Sequence, residues 1–219
     1  MEILFKYSEA FIGGALTTLQ IAVISWVAGI ALGCVLGFFA ILQKWFKLFL
    51  SYFSFFLTAI PILVLLFWFH YPMQTAFRIN IDPLITSIFL FTLINAVIVA
   101  QIISQNEDRM PEEYVQSAVF AGLSYFRVFS KIQLPMVLRS SLPSIVTTQV
   151  TILHMTLFAS LISVNELFRT AQRINSLEYQ PVEIYTIIAV FYVAISAPLL
   201  YLSGYFKRHL HSIKLAEPS

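Results

Sequence analysis

Three side chains in one apolar stretch, Thr147, Thr151 and His154, recur at i, i+4 and i+7, which places them on one face of a helix. Together with Thr148, Gln149 and Thr156 they form the densest polar set in any apolar segment of the chain. Hydroxyls and an imidazole on one face could replace the water shed by a polar solute and so line a solute path. The same groups could instead hydrogen-bond between helices, as Ser and Thr commonly do in membranes. His154 leans toward function, because an ionisable side chain inside a span is a functional candidate by default. Asn95 and Gln101, in the preceding apolar segment, are further candidates for the path.

Several other chemistries lack their residues. The chain has no HExxH, no GxSxG and no glycine-rich phosphate cradle followed by Lys and Ser or Thr. His70, His154, His209 and His211 are scattered. The lone Cys34 rules out a disulfide framework, a CxxC pair and a cysteine-based metal site. No carboxylate falls in the middle of an apolar segment, which argues against proton relays and intramembrane proteolysis by paired aspartates. A net charge of +2, without aromatic residues interleaved in a basic patch, excludes nucleic-acid binding. The expectation is a chain with no catalytic residue, no metal site and no cofactor of its own.

The elements that carry these residues follow from composition. With 59% hydrophobic and 11% charged residues and a mean hydropathy of +0.83, the chain has more apolar surface than a soluble core could bury. A bilayer core about 30 Å thick needs roughly 20 apolar residues in a helix. Five segments qualify, approximately 11–42, 48–69, 84–103, 141–163 and 183–206, so the fold class is an all-α integral membrane protein, a single transmembrane domain over 1–219. The first segment is long enough to tilt or to begin on the surface. MEILFKYSEA lacks the marks of a cleaved signal, so insertion is expected to rely on the first span. Gly29, Gly33 and Gly37 in that span form a GxxxGxxxG series suited to helix packing.

Basic residues set the orientation, because Lys and Arg are retained on the cytoplasmic side. One set of alternate loops holds Lys44, Lys47, Arg109, Arg127, Lys131, Arg139, Lys207, Arg208 and Lys214, and the other only Lys6, Arg78, Arg169 and Arg173. The N-terminus is therefore expected outside and the C-terminus inside. The loop 105–140 is long, mixed in charge and patterned. Pro111 followed by Glu112 and Glu113 suits a helix start, and Gly122 a stop. Ser124 can cap a second short helix through Arg127 and Lys131, with Pro135 ending it. Glu166, Arg169 and Arg173 fall on the outer loop, as a solvated face or as a contact for an extracytoplasmic protein.

In the cytoplasmic loop, Gln116, Ser117, Ala118, Gly122, Ile132, Leu134 and Pro135 occur at a telling spacing. QSAVFAG, nine residues and IQLP resembles the EAA loop of binding-protein-dependent ABC importer permeases, whose pattern is E-A-A, three residues, G, nine residues, I-x-L-P. Similarity to the polar amino acid permease family extends over most of the chain. GGALTTLQIAVIS is similar to its first span, Pro61 stands at its R-G-x-P proline, Asn95 and Ala96 open a segment like its third span, and SLISVNELFRTAQRI with VEIYTIIAVFY resembles its last stretch.

The resemblance implies a multi-pass permease subunit of the bacterial inner membrane that carries a polar solute, an amino acid by preference, by alternating access. It also implies an ABC ATPase dimer holding ATP and Mg, a second permease subunit, identical or homologous, and an extracytoplasmic solute-binding protein. Small residues at Ser117 and Ala118 and the Gly122 turn suit a helix that docks in a partner's groove. Departures accompany the match: Gln116 replaces the family's glutamate and Ser117 its first alanine. Phe55, Thr58 and Ala59 precede Pro61 where relatives carry charge, as do Gln101 and Ser104 after the third span. These losses leave a noncatalytic scaffold or degenerate permease as the alternative, ahead of a stand-alone channel or secondary transporter.

Overall fold

The computed structural model describes residues 2–211 and consists of helices joined by short turns, with no strand among the described residues. Lys214, one of the basic residues that set the expected orientation, lies outside them. A short α1 (Glu2–Lys6) leads into α2 (Ser8–Leu42), and a single extended residue, Gln43, turns the chain into α3 (Lys44–Ala59). Then come α4 (Ile62–His70), α5 (Pro72–Phe77) and α6 (Pro83–Asp108). A helical hairpin, α7 (Glu112–Phe120) and α8 (Tyr125–Val128), runs through a π turn (Phe129–Gln133) into α9 (Leu134–Met155). A 3-10 turn (Thr156–Ile162), α10 (Leu167–Glu178) and α11 (Pro181–His211) complete the fold.

Four stretches are long and apolar enough to cross a membrane: Ser8–Leu42, Pro83–Asp108, Tyr125–Ile162 and Pro181–His209. The segment expected as one span over 48–69 is instead broken, with Lys44–Ala59 and Ile62–Phe77 meeting at 93°. Pro61 is the cause. The residue before a proline is pushed out of the helical region, and Ile60 adopts φ −87°, ψ 127°.

The glycine series decides how that broken pair is counted. A Cβ on Gly29 would lie 2.6 Å from the Asn95 side chain, on Gly33 2.6 Å from Val99, and on Gly37 2.9 Å from Ile103. These glycines therefore admit α6 to backbone-close packing, and their partner lies within the chain. The register advances in the same sense on both helices, so α2 and α6 run parallel. Parallel neighbours require the chain to recross between them, which makes α3–α5 one bent crossing and the total five.

The remaining crossings alternate. Asn95 of α6 meets Gln149 of α9 while Glu107 meets Gln133, so these two helices are antiparallel. Likewise His154 meets Ser196 and Thr147 meets Ser203, setting α11 antiparallel to α9. At one end α10 lies across α2: a Cβ on Gly14 would sit 2.8 Å from Thr170 Oγ1, and the Thr18 hydroxyl accepts from Leu167 N at 3.1 Å. Lys6 Nζ and the Tyr7 hydroxyl both donate to Glu178 Oε1, at 2.7 and 2.5 Å, and hold α1 to α10.

Pro135 does not end the second loop helix as expected. The chain stays helical through it because the π turn precedes it, with Leu134 N reaching back to Phe129 O. The widened turn gives the proline ring room where an α-turn carbonyl would obstruct it.

Candidate functional site

The intramembrane polar residues divide into two groups. Asn95 is 0% exposed and is held at the junction of α2, α6 and α9. Its Nδ2 donates to Ser25 O at 3.0 Å and to Gln149 Oε1 at 2.9 Å, while Gln149 Nε2 donates to Asn95 Oδ1 at 3.3 Å and to Ile145 O at 2.8 Å. Trp26 Nε1 closes the knot by donating to Gln149 O at 2.9 Å. Nothing in this arrangement leaves Asn95 open to a solute.

Thr147, Thr151 and His154 behave differently, because all three lie on the exposed side of α9, in line with Ser144. Thr147 Oγ1 donates to Pro143 O at 3.0 Å and pairs with Ser203 Oγ at 2.9 Å; His154 Nε2 pairs with Ser196 Oγ at 3.1 Å, its ring edge-on to Tyr192 at 5.9 Å. These contacts stitch the edge of the stripe to α11 without covering it. With the Thr147 hydroxyl and His154 Nε2 partnered within the chain, the exposed face that remains suits water or another protein chain better than hydrocarbon. Gln101 is separate from both groups: with Ser104, Ser51 and Lys44 it lines a groove between α3 and α6.

The loop residues come together as a hairpin. Gly122 N donates to Val119 O at 2.9 Å and Leu123 N to Ala118 O at 3.2 Å, a Schellman closure that needs the left-handed φ of +85° at Gly122. Ala118 is buried against it, whereas Gln116 and Ser117 are exposed. Ile132, Leu134 and Pro135 are half-buried at the root of α9. At the tip three aromatic rings stand in the open, Phe120 at 89%, Tyr125 at 78% and Phe126 at 78% exposure. Large exposed aromatic clusters mark contact surfaces.

Glu166 departs from the solvated face expected for the outer loop. It is 0% exposed and caps α10, Oε2 accepting from Phe168 N at 2.8 Å and Oε1 from Arg169 N at 2.7 Å. Burial pushes its carboxyl up to about 7, against the opposing pull of those two N–H groups. Arg169 turns back to donate to Ser160 O at 2.7 Å, and Arg173 is exposed. No group of three or more His, Cys, Asp or Glu able to hold a metal occurs among the described residues.

Sequence reasoning passes over Ser196 and Ser203, the partners of the stripe. Their seven-residue spacing repeats that of Thr147 and His154, and this shared period on two antiparallel helices is the signal that could have paired them. Lys47, Glu107 and Gln133, which meet at the root of the hairpin, carry no such signal.

Comparison with known proteins agrees with this architecture. Residues 29–212 match the family described as binding-protein-dependent transport system inner membrane component. The glutamine transport system permease protein GlnP of Escherichia coli is 24% identical over 201 residues, covering 91% of this chain and 92% of that one. The L-cystine transport system permease protein TcyB of Bacillus subtilis is 26% identical over 186 residues, covering 82% and 76%. Among solved structures, an amino acid ABC transporter crystallised with histidines superposes with a TM-score of 0.84 at 23% identity, over 94% of this chain and 96% of that one. The MetNI methionine ABC transporter in an inward-facing form gives 0.75 at 15% identity, over 94% and 98%.

Proposed function

The chain belongs to the family of binding-protein-dependent transport system inner membrane components, and on that premise we propose that it forms half of the translocation pathway of an ABC importer for a polar amino acid. The observation that carries this reading is the exposed stripe of Thr147, Thr151 and His154 on α9. A second permease subunit, identical or homologous, supplies the opposite wall, and the stripe faces the water-filled space between them. Names of relatives that carry glutamine and cystine support an amino acid as cargo. No acidic side chain lies on the stripe, so a cationic solute would find no counter-charge there.

The hairpin α7–α8 is the docking surface for a partner ATPase, its exposed Phe120, Tyr125 and Phe126 entering an apolar groove on that subunit. ATP and Mg belong to the partner, and this chain carries no catalytic step. Closure of the ATPase dimer moves the hairpin, and α9, with which it is helically continuous, follows as a lever. The hairpin end is cytoplasmic and the Glu166 end extracytoplasmic, in keeping with the basic residues at Lys44, Lys47, Arg127 and Lys131. A solute-binding protein docks at the outer end, where Arg173 is exposed.

Uptake of a panel of radiolabelled amino acids into proteoliposomes holding the assembled complex tests this reading. Accumulation of a polar member that requires both ATP and the binding protein is expected. Passive equilibration, or no uptake of any member, contradicts it.

A further inference from the structure

At the cytoplasmic end of α6, Glu107 uses its two carboxylate oxygens on two different elements. Oε2 accepts from Lys47 Nζ of α3 at 3.1 Å, and Oε1 accepts from Gln133 Nε2 of the π turn at 3.2 Å. Asp108 pairs with the same lysine. The π turn is the last element of the hairpin before α9, and its extra residue per turn shifts the residues before it around the axis relative to α9. Gln133 is its final residue. The α3 helix, by contrast, belongs to the bent crossing and has no covalent path to the hairpin except through α4, α5 and α6.

We propose that Glu107 is a positioning residue for energy coupling: by tying Lys47 on α3 to Gln133 in the π turn, it makes the bent crossing follow the hairpin when the ATPase moves it. Without the tie, motion of the hairpin reaches α9 directly and α2 through the Phe129 ring on Phe38, 5.5 Å between centroids, but α3 only at second hand, past Gln43 and the Phe39–Phe46 ring contact. Lys47 and Glu107 are partly exposed, side chains 28% and 23% accessible, so the pair contributes little to holding the fold together. Its value is geometric. One carboxylate in a fork between two donors fixes the spacing of the elements that carry them.

The inference rests on the importer reading, and its test separates the two. Complexes with the partner ATPase and binding protein are reconstituted with wild type, Lys47→Met, Glu107→Ala, Gln133→Leu and the double variant Lys47→Met with Gln133→Leu. Solute imported per ATP hydrolysed is the readout. All variants are expected to retain the ATPase in co-purification, while import per ATP falls about fivefold, a typical coupling effect. Because the tie is serial, the double variant falls no further than either single one, and Lys47→Arg restores the wild-type ratio. An unchanged ratio in Gln133→Leu and Lys47→Met overturns the tie while the importer reading stands. A wild-type complex that retains no ATPase overturns both, and the failure then lies with the importer reading.

Discussion

Asn95 Nδ2 donates to Gln149 Oε1 across 2.9 Å, where α2, α6 and α9 meet. Replacing Asn95 with Leu takes the donor from Gln149 Oε1, leaves its Nε2 only Ile145 O, and crowds Gly29. We expect a loss of roughly 1–2 kcal/mol, within the range for a broken buried hydrogen bond between membrane helices. A lower midpoint in detergent thermal denaturation checks it, with Asn95→Asp, which keeps acceptors but loses the donated bonds, falling at least as far.

The α2–α6 seam gives a sharper contrast. Gly33→Ala forces a Cβ to within 2.6–2.8 Å of Val99 and the Ala96 carbonyl, whereas Gly13→Ala meets nothing within 4 Å. Overpacking of this kind costs about 1–3 kcal/mol, and alanine at an open helical glycine gains about 0.5–1 kcal/mol. Folded yield in membranes is expected to drop for Gly33→Ala and to hold or rise for Gly13→Ala.

His154→Leu keeps the bulk at the stripe but loses the Ser196 contact and the polar face. Uptake is expected to fall roughly tenfold, the equivalent of about 1.4 kcal/mol, with co-purification of partners unchanged. Unchanged uptake would remove His154 from the path and assign it to α9–α11 packing.

Glu166 makes stability depend on pH. Its carboxyl titrates near 7 in the folded chain and in the ordinary carboxylate range when unfolded, so between about pH 4.5 and 7 the folded state holds the extra proton. Stability therefore falls as pH rises through that window and levels off above it. Glu166→Gln, which keeps one acceptor for the α10 cap, should flatten this part of the profile. Thermal midpoints of both proteins from pH 5 to 8 check the sign; a wild-type midpoint that climbs across the window contradicts it.

Much of this was legible in composition and periodicity. Segments of about 20 apolar residues give their membrane helices directly, and Pro111 and Gly122 bracket α7 because proline and glycine act through local backbone geometry. What escaped depends on distant partners. Pro61 was visible, and it breaks the helix at Ile60, but no local rule gives the 93° at which the two halves meet. Pro135 signals a helix end by local rules, yet the π turn absorbs it. Glu166 reads as a surface carboxylate until α10 folds over Thr18 and buries it. Among the polar residues of the spans, Asn95 and Gln149 are consumed in a buried knot, while Thr147, Thr151 and His154 stay exposed on α9 with Thr147 and His154 also bonded to α11, an arrangement no local rule predicts.

The central claim, an ATP-coupled permease that docks its ATPase through the α7–α8 hairpin, is tested most directly by co-purification from detergent with a candidate ATPase subunit, comparing wild type with Gly122→Asp. That substitution puts a side chain at φ +85° and a negative charge between the exposed Phe120 and Tyr125. Retention of the ATPase by wild type and its loss from the variant, with membrane insertion unchanged, is the predicted result. If neither chain retains an ATPase, or both retain it equally, the hairpin is not the docking surface and the coupling account is contradicted.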